Sequence, residues 1–342
     1  INEWPLRPSY GGVRMAVDDG YSSACSDSVG SSSDVGSDGG EGGGGGDIYH
    51  LPEGCIANVL SLTSPRDASR LSVVATIFQS AAESDAVWDR FLPADYREIV
   101  SRFISDGPDS IVSRSKKEVF LYLCDHPSLI DGGTMSFSLE KHSGKKCYML
   151  AARSLAIVWA DTPRYWRWIS LPESRFSEVA ELLDVCWFDI SGKINTSMLS
   201  PDTNYAAYFV FTTKSRTYGF DDQSAEGAVG ISGHERKPQT VFLDPEAARR
   251  HMYQIVPRRL GLFEQMADIM RRGVNPPSQS EAQSQARYPQ QRSDGWIEVE
   301  LGEFFVKRGE DVELEMSLTE VKVGNWKSGL VVEGIEIRPK EG

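Results

Sequence analysis

Near residue 130 the apolar pattern of this chain changes its period, which restricts the fold more than any other feature. Upstream, apolar residues recur at helical spacing. Ile56, Val59 and Leu60 stand at i, i+3 and i+4 behind Leu51-Pro52, with Pro52 suited to a first helical position and Cys55 and Leu62 widening the face. Ser64-Pro65-Arg66-Asp67 is a helix start, with Ser64 as N-cap, Pro65 in the first turn and Asp67 placed for a capping box. Ala68, Leu71, Val74, Ala75 and Phe78 carry the stripe onward, predicting one helix through that run. Ser84 or Asp85 caps a third short helix presenting Trp88 and Phe91. Three such helices are barely able to bury their own apolar faces, so the unit is expected to dock against something. A further helix is predicted over residues 115–127, ending near Pro127.

Downstream the period is two. Met135, Phe137 and Leu139 alternate with polar residues, as do Val312, Leu314, Met316 and Leu318 around Glu313 and Glu315. Ile335 and Ile337 flank Glu336, while "AAYFVFTT" and "GWIEVELGEFF" supply further strands. Ser191-Gly192 reads as a hairpin turn within "WFDISGKI". Many alternating strands between turns predict an antiparallel sandwich with one solvated face per sheet. The fold class expected is α+β and multidomain: a small all-α unit followed by an antiparallel β-sandwich.

Of residues 30–46, nine are Gly, four Ser and three acidic, with Val35 alone apolar. Such a stretch buries too little surface to offset chain entropy, so residues 1–47 read as a disordered acidic Gly/Ser-rich tail. A phosphate-binding loop would need a preceding strand and a Lys-Ser/Thr or G-x-G-x-x-G turn, which this run does not supply. Met15 opens a more natural protein start than Ile1, so residues 1–14 are expected to be a leader or fragment edge. Residues 249–294, with three Arg pairs and then a Pro/Gln/Ser stretch, read as a flexible surface insertion.

Net charge is −13, which argues against nucleic acid or an anionic membrane as main partner. Five scattered cysteines without a C-x-x-C pair read as reduced thiols, and no segment approaches the ~20 apolar residues of a membrane span. No histidine stands at metal-ligand spacing, so neither metal nor cofactor is expected. The chain therefore reads as soluble and cytoplasmic or nuclear.

"LPEGCIANVLSLTSPRDASRLSVVATIFQSAAESDAVW" resembles an F-box. "SKKEVFLYLCDHPSLIDGGTMSFSLEKHSGKKCYMLAARSLAIVWADTPRYWRWI" resembles the start of the plant phloem-protein-two lectin-like domain. "FSEVAELLDVCWFDISGKI", "LSPDTNYAAYFVF", "DGWIEVELGEFF" and "GIEIRP" continue it in order. Together they resemble plant F-box proteins of the phloem-protein-two B group, over roughly residues 48–342. The domains expected are an F-box at 48–93, a helical connector at 94–130 and a lectin-like sandwich at 131–342.

The resemblance implies that the F-box docks on a Skp-type adaptor, and through it a cullin, while the second domain selects a glycan or glycoprotein target. Its adaptor-binding residues would be Leu51, Pro52, Ile56, Val59, Leu60, Pro65, Leu71, Val74, Phe78 and Trp88. From the residues alone, packing of the same stripe against the chain's own sandwich is the favoured reading, because apolar stripes are mostly core.

Sugar binding needs aromatic faces for a pyranose and fixed polar groups for its hydroxyls. The second domain holds Trp166, Trp168, Trp187, Trp296 and Trp326. Trp187 and Trp296 lie within strand patterns and are expected in the core. Trp326, beside Asn325 and Lys327 in a polar turn, is the ligand candidate, with Asp221 and Asp222 as hydroxyl acceptors. A glycosidase would need two carboxylates, for which Asp221-Asp222, Asp184 with Asp189, and Glu298 with Glu300 were the available pairs. Alternating glutamates are what a solvated sheet face shows, so no catalytic residues are expected. A free lectin with structural helices is the competing class.

Overall fold

In the computed structural model the described residues are 51–104, 107–221, 223–249 and 286–340. The acidic tail, the start at Met15, Asp222 and most of the basic insertion fall outside them.

Four helices, rather than three, build the first part: α1 (Glu53–Ser61), α2 (Pro65–Leu71), α3 (Thr76–Glu83) and α4 (Asp85–Phe91). Pro52 is the N-cap of α1, one position outside the expected first helical residue. The Ser64 hydroxyl caps α2 by accepting from the Asp67 amide at 3.1 Å, as the sequence predicts. The stripe through Phe78 is not continuous, because the chain turns after Leu71 and Ala75 adopts extended backbone before α3. Ser84 caps α4.

Three more helices follow, α5 (Tyr96–Ser101), α6 (Pro108–Val112) and α7 (Lys116–Asp125). A capping box between Ser115 and Glu118 starts α7 and holds the Glu118 carboxyl below its usual range through hydrogen bonds from Ser115. The ring of Phe120 on α7 lies 5.2 Å from Trp88 and 6.5 Å from Phe91. These contacts pack α7 against α4. Gly144, at φ +70°, admits the loop against α4, where a Cβ would stand 2.7 Å from the Phe91 carbonyl oxygen. The Lys146 ammonium pairs with Asp95 at 2.6 Å. One apolar core runs unbroken from Ile56 to Ile337, so the helical unit closes its core on the rest of the chain.

Fourteen strands follow among the described residues: β1 (Ser128–Ile130), β2 (Met135–Leu139), β3 (Lys146–Ala151), β4 (Ala156–Ile157), β5 (Trp166–Ile169), β6 (Val179–Leu182) and β7 (Phe188–Asn195). Then come β8 (Thr203–Tyr218), β9 (Ser224–Ile231), β10 (Gln239–Phe242), β11 (Gln290–Gln291), β12 (Ile297–Val306), β13 (Glu313–Glu320) and β14 (Ser328–Pro339). They form two antiparallel sheets, one ordered β1-β2-β3-β14-β8-β12-β11 with β6 and β5 added beside β14, the other β10-β9-β13-β7-β4. Phe188 of one sheet meets Phe209 of the other edge-to-face at 6.5 Å, inside the sandwich. The α+β class and the alternation of Leu314, Met316 and Leu318 inward are as predicted.

Ser191-Gly192 is not a turn. Both residues lie within β7, paired with Ser317 and Met316. The glycine is there for close packing, since a Cβ would meet Leu155 at 2.7 Å and Leu150 at 3.0 Å. Part of the stretch expected as an insertion lies among the described residues. Residues 286–294 are held in place, with Arg287 bridging to Val241 and β11 pairing with β12.

The outer face of the larger sheet is not simply solvated. Phe176, Val179 and Trp296 cover part of it over Met149, Val210 and Val331. Beside them Arg292 binds Glu298 at 2.6 Å and also Glu336, while Arg338 binds Glu298 at 2.5 Å.

Candidate functional site

Twelve large apolar side chains stand exposed among the described residues, and ten of them fall into two groups. The first lies on the helices: Leu51, Val59, Leu62, Val73 and Val74. The second lies at one end of the sandwich: Trp159, Trp187, Tyr218, Val323 and Trp326.

On α1, Ile56 and Leu60 sit one turn apart and point inward, where α1 packs on α3 and α4. Val59, rotated by one residue from Leu60, points outward. Trp88 is buried, donating its indole N–H to the Ala82 carbonyl at 2.6 Å. The ten residues carried over from the F-box pattern therefore divide. Ile56, Leu60, Pro65 and Trp88 are buried in the chain's own core, and Leu71 and Phe78 are half-buried against it. Leu51, Pro52, Val59 and Val74 face outward. Leu62, expected to widen the same face, joins them, as does Val73, which is 85 % exposed in the turn after α2 and was not singled out in the sequence. Each aliphatic side chain of this kind would contribute about 1.5–3 kcal/mol if fully buried by a partner.

Strand register brings the second group together from residues far apart in sequence. The end of β13 meets the start of β7 through Glu320 and Phe188, which places Trp187 beside the 321–327 turn. Val185 bridges to Lys327, and Ser328 pairs with Tyr218. The Val158 amide donates to Asp189, which puts Trp159 at the same end. Gly219, at φ +84°, lets the chain after β8 approach the turn, for a Cβ there would lie 2.2 Å from the Trp326 carbonyl. The Tyr218 hydroxyl donates to Asp184 at 2.7 Å, which pushes its pKa up. The Asn325 amide donates to Gln223 at 3.4 Å. Asp221 lines a neighbouring cleft of ≈360 Å³ with Tyr218 and Lys214.

Of the sugar candidates, Trp326, Asn325 and Asp221 are brought to this end and are exposed. Lys327 is a correction. Its side chain is 0 % exposed, pairs with Glu320 and donates to the Asn325 carbonyl at 2.7 Å, so it cannot reach a surface ligand. The bridge to Val185 turns it inward. Trp296 is buried as expected, though in the cluster on the outer face of the larger sheet, with its N–H on the Glu173 carbonyl at 3.2 Å. Trp187 is the opposite case: 46 % exposed, in the bend before β7 rather than within it. Trp159 was missed. It is exposed at φ 62°, a backbone conformation uncommon for a bulky residue, with its ring 5.1 Å from Tyr165. The turn residues Ala-Asp-Thr-Pro directly after it were the available signal.

The Glu298 and Glu300 pair offers no acid and base. Burial works to raise the Glu298 carboxyl, but the Arg338 and Arg292 guanidiniums outweigh it and hold it below the usual range. A general acid requires the reverse. Glu300 is paired with Lys340 at 3.0 Å and Arg287 at 3.1 Å. Among the described residues no group of three or more His, Cys, Asp or Glu is placed to hold a metal ion. Cys55, Cys124, Cys147 and Cys186 form no disulfide with one another.

Residues 145–339, from β3 through β14, match the family model for phloem protein 2. Among curated proteins of Arabidopsis thaliana, the chain is 42% identical to F-box protein PP2-B1, over 85% of this chain and 89% of that one. It is 43% identical to F-box protein PP2-B10, over 84% and 93%. F-box protein PP2-B15 is 41% identical, over 85% and 96%. The chain belongs to the phloem protein 2 family, in its F-box PP2-B group. The aromatic end lies wholly inside the phloem protein 2 match, and the aliphatic patch lies wholly before it. Among the described residues no helix is long and apolar enough to cross a membrane.

Proposed function

We propose that this chain is a non-catalytic substrate-recognition subunit of an SCF-type ubiquitin ligase, working in the cytoplasm or nucleus. Its helical module docks on a Skp-type adaptor, which links it to a cullin, and its sandwich reads a carbohydrate or glycoprotein target. The observation that carries the reading is the aliphatic patch. Leu51, Val59, Leu62, Val73 and Val74 stay exposed on a module whose inward residues are already packed, in a chain whose relatives are named F-box proteins. An exposed apolar patch of this kind is stabilised by a protein partner. Val59 and Val74 rather than Ile56 and Leu60 are the positions to change. A pull-down of recombinant adaptor by the full chain tests it: the wild type retains the adaptor, and the Val59→Asp/Val74→Asp variant loses it.

For the sandwich, the exposed Trp159, Trp187 and Trp326 with Asn325 and Asp221 supply the stacking faces and hydroxyl partners that a sugar needs. On a glycan array the full chain is expected to bind, and Trp326→Ala or Trp187→Ala to weaken binding about tenfold, in line with the loss of one stacking aromatic. Absence of binding to any sugar would leave the aromatic end as a protein-reading surface.

A second reading has its own support. Ile56, Leu60 and Trp88 are used by the chain's own core, as they would be in a free lectin with a structural helical domain. Full sugar binding without any adaptor retention would favour that reading.

A further inference from the structure

Away from both surfaces, a cavity of ≈610 Å³ opens on the outer face of the larger sheet, between the end of α7, the segment before β6 and the hairpin before β12. Its charged lining comprises the carboxylates of Asp125, Glu173, Asp294, Glu333 and Glu336 and the guanidiniums of Arg175 and Arg292. Both arginines have partners: Arg292 binds Asp294, Glu298 and Glu336, and Arg175 lies 3.8 Å from Asp294. Asp125 is held by Lys141 at 2.9 Å. The lining keeps an excess of negative charge.

Glu333 distinguishes this cavity from an ordinary acidic patch. It is 1 % exposed, and its two oxygens are treated differently. Oε1 accepts from the Ser174 hydroxyl at 3.0 Å and the Arg175 amide at 3.2 Å, while Oε2 has no hydrogen-bond partner among the described residues. A buried polar atom left unpaired is destabilising, so its position calls for a cause. The backbone supplies one. Between Val332 and Gly334 the pairing of β14 with β8 shifts register, leaving Glu333 as the extra residue of a bulge. Gly334 permits it, since a Cβ there would lie 1.9 Å from the Leu150 carbonyl oxygen. Bulges re-aim side chains beside binding sites. Burial pushes the Glu333 carboxyl up, with Arg175 opposing, and a bound cation would oppose the rise further.

We propose that this cavity binds an alkylammonium group, with Glu333 Oε2 as its acceptor and the surrounding carboxylates as its field. One free oxygen suits the point charge of an ammonium, whereas a guanidinium is matched by both oxygens of a carboxylate. The group could come from a lysine side chain of a bound protein or from a free polyamine. The inference stands apart from the adaptor and sugar readings, and their failure would leave it intact.

Calorimetric titration of the full chain with three probes decides it: acetyl-Ala-Lys-Ala-amide, the same peptide with the lysine Nζ acetylated, and spermidine. Saturable binding of the lysine peptide or of spermidine is expected, with at least about tenfold weaker binding of the acetylated peptide. The tighter of the two charged probes identifies the source. Glu333→Gln retains an acceptor for Ser174 and Arg175 and is expected to weaken the charged probe about tenfold with an unchanged Tm. Equal binding of the lysine and acetyl-lysine peptides, no saturable binding of either charged probe, or unaltered binding by a folded Glu333→Gln would overturn it. The peptide contrast needs no variant, so a Glu333→Gln protein that failed to fold would not leave the question open.

Discussion

The helical patch and the aromatic end of the sandwich are built by opposite means. On the helices, the surface follows from local geometry. Leu60 turns inward and its neighbour Val59 outward, so one short helix supplies both the core and the exposed face. At the sandwich end no single element makes the surface. Trp159, Trp187, Tyr218 and Trp326 come from four chain segments, gathered by pairings such as Glu320 with Phe188 and Val185 with Lys327. The chemistry differs as well. Aliphatic side chains fit a protein surface that excludes water, while aromatic faces beside Asp and Asn fit a partly polar ligand. The patch should therefore tolerate changes beside it, whereas the aromatic end should fail when its supporting pairings fail.

The largest effect expected is at that support. Lys327→Met leaves the Glu320 carboxylate buried without its cation and should destabilise the protein by about 3–5 kcal/mol. Adding Glu320→Leu should recover most of the loss, because a buried ion pair is often no better than apolar packing. Thermal unfolding of the single and double variants measures both. If Lys327→Met alone were neutral, the turn would not depend on the pair.

On the helices the comparison sharpens into two adjacent residues. Leu60→Ala should cost about 2–5 kcal/mol as a core truncation, while Val59→Ala should stay within about 0.5 kcal/mol. Denaturant titration of the two separates them, and similar losses would mean that Val59 is also core.

The smallest effect concerns the outer face of the larger sheet. The Glu298 carboxyl is held low by its arginines when folded, so its contribution to stability is complete above the unfolded value of about 4.3 and is lost as pH falls through the folded value. Glu298→Gln should have a lower Tm at neutral pH and a flatter Tm across the acid range. An identical acid profile in both proteins would show that other carboxylates carry the response.

What the sequence made legible follows the same division. The caps at Ser64 and Ser84, the inward stripe of Leu314, Met316 and Leu318, and the exposure of Trp326 depend on neighbours a few residues away. The inward turn of Lys327, the exposure of Trp187 and the place of Gly192 inside β7 depend on strand partners 124 to 142 residues distant. Glycine beside serine resembles a turn until Leu155 and Leu150 are seen to need the space. The break at 72–75 was hidden for a local reason, because its residues are compatible with a helix and only extended Ala75 ends it. The bulge at Glu333 has no signature beyond the following glycine.

Adaptor affinity of the Val59→Asp/Val74→Asp variant, measured beside its Tm, tests the central claim most directly. The account predicts that adaptor binding falls by at least about a hundredfold, as two buried aliphatic contacts are replaced by charge, while Tm stays near that of the wild type. A folded variant that still bound the adaptor at wild-type strength would contradict it.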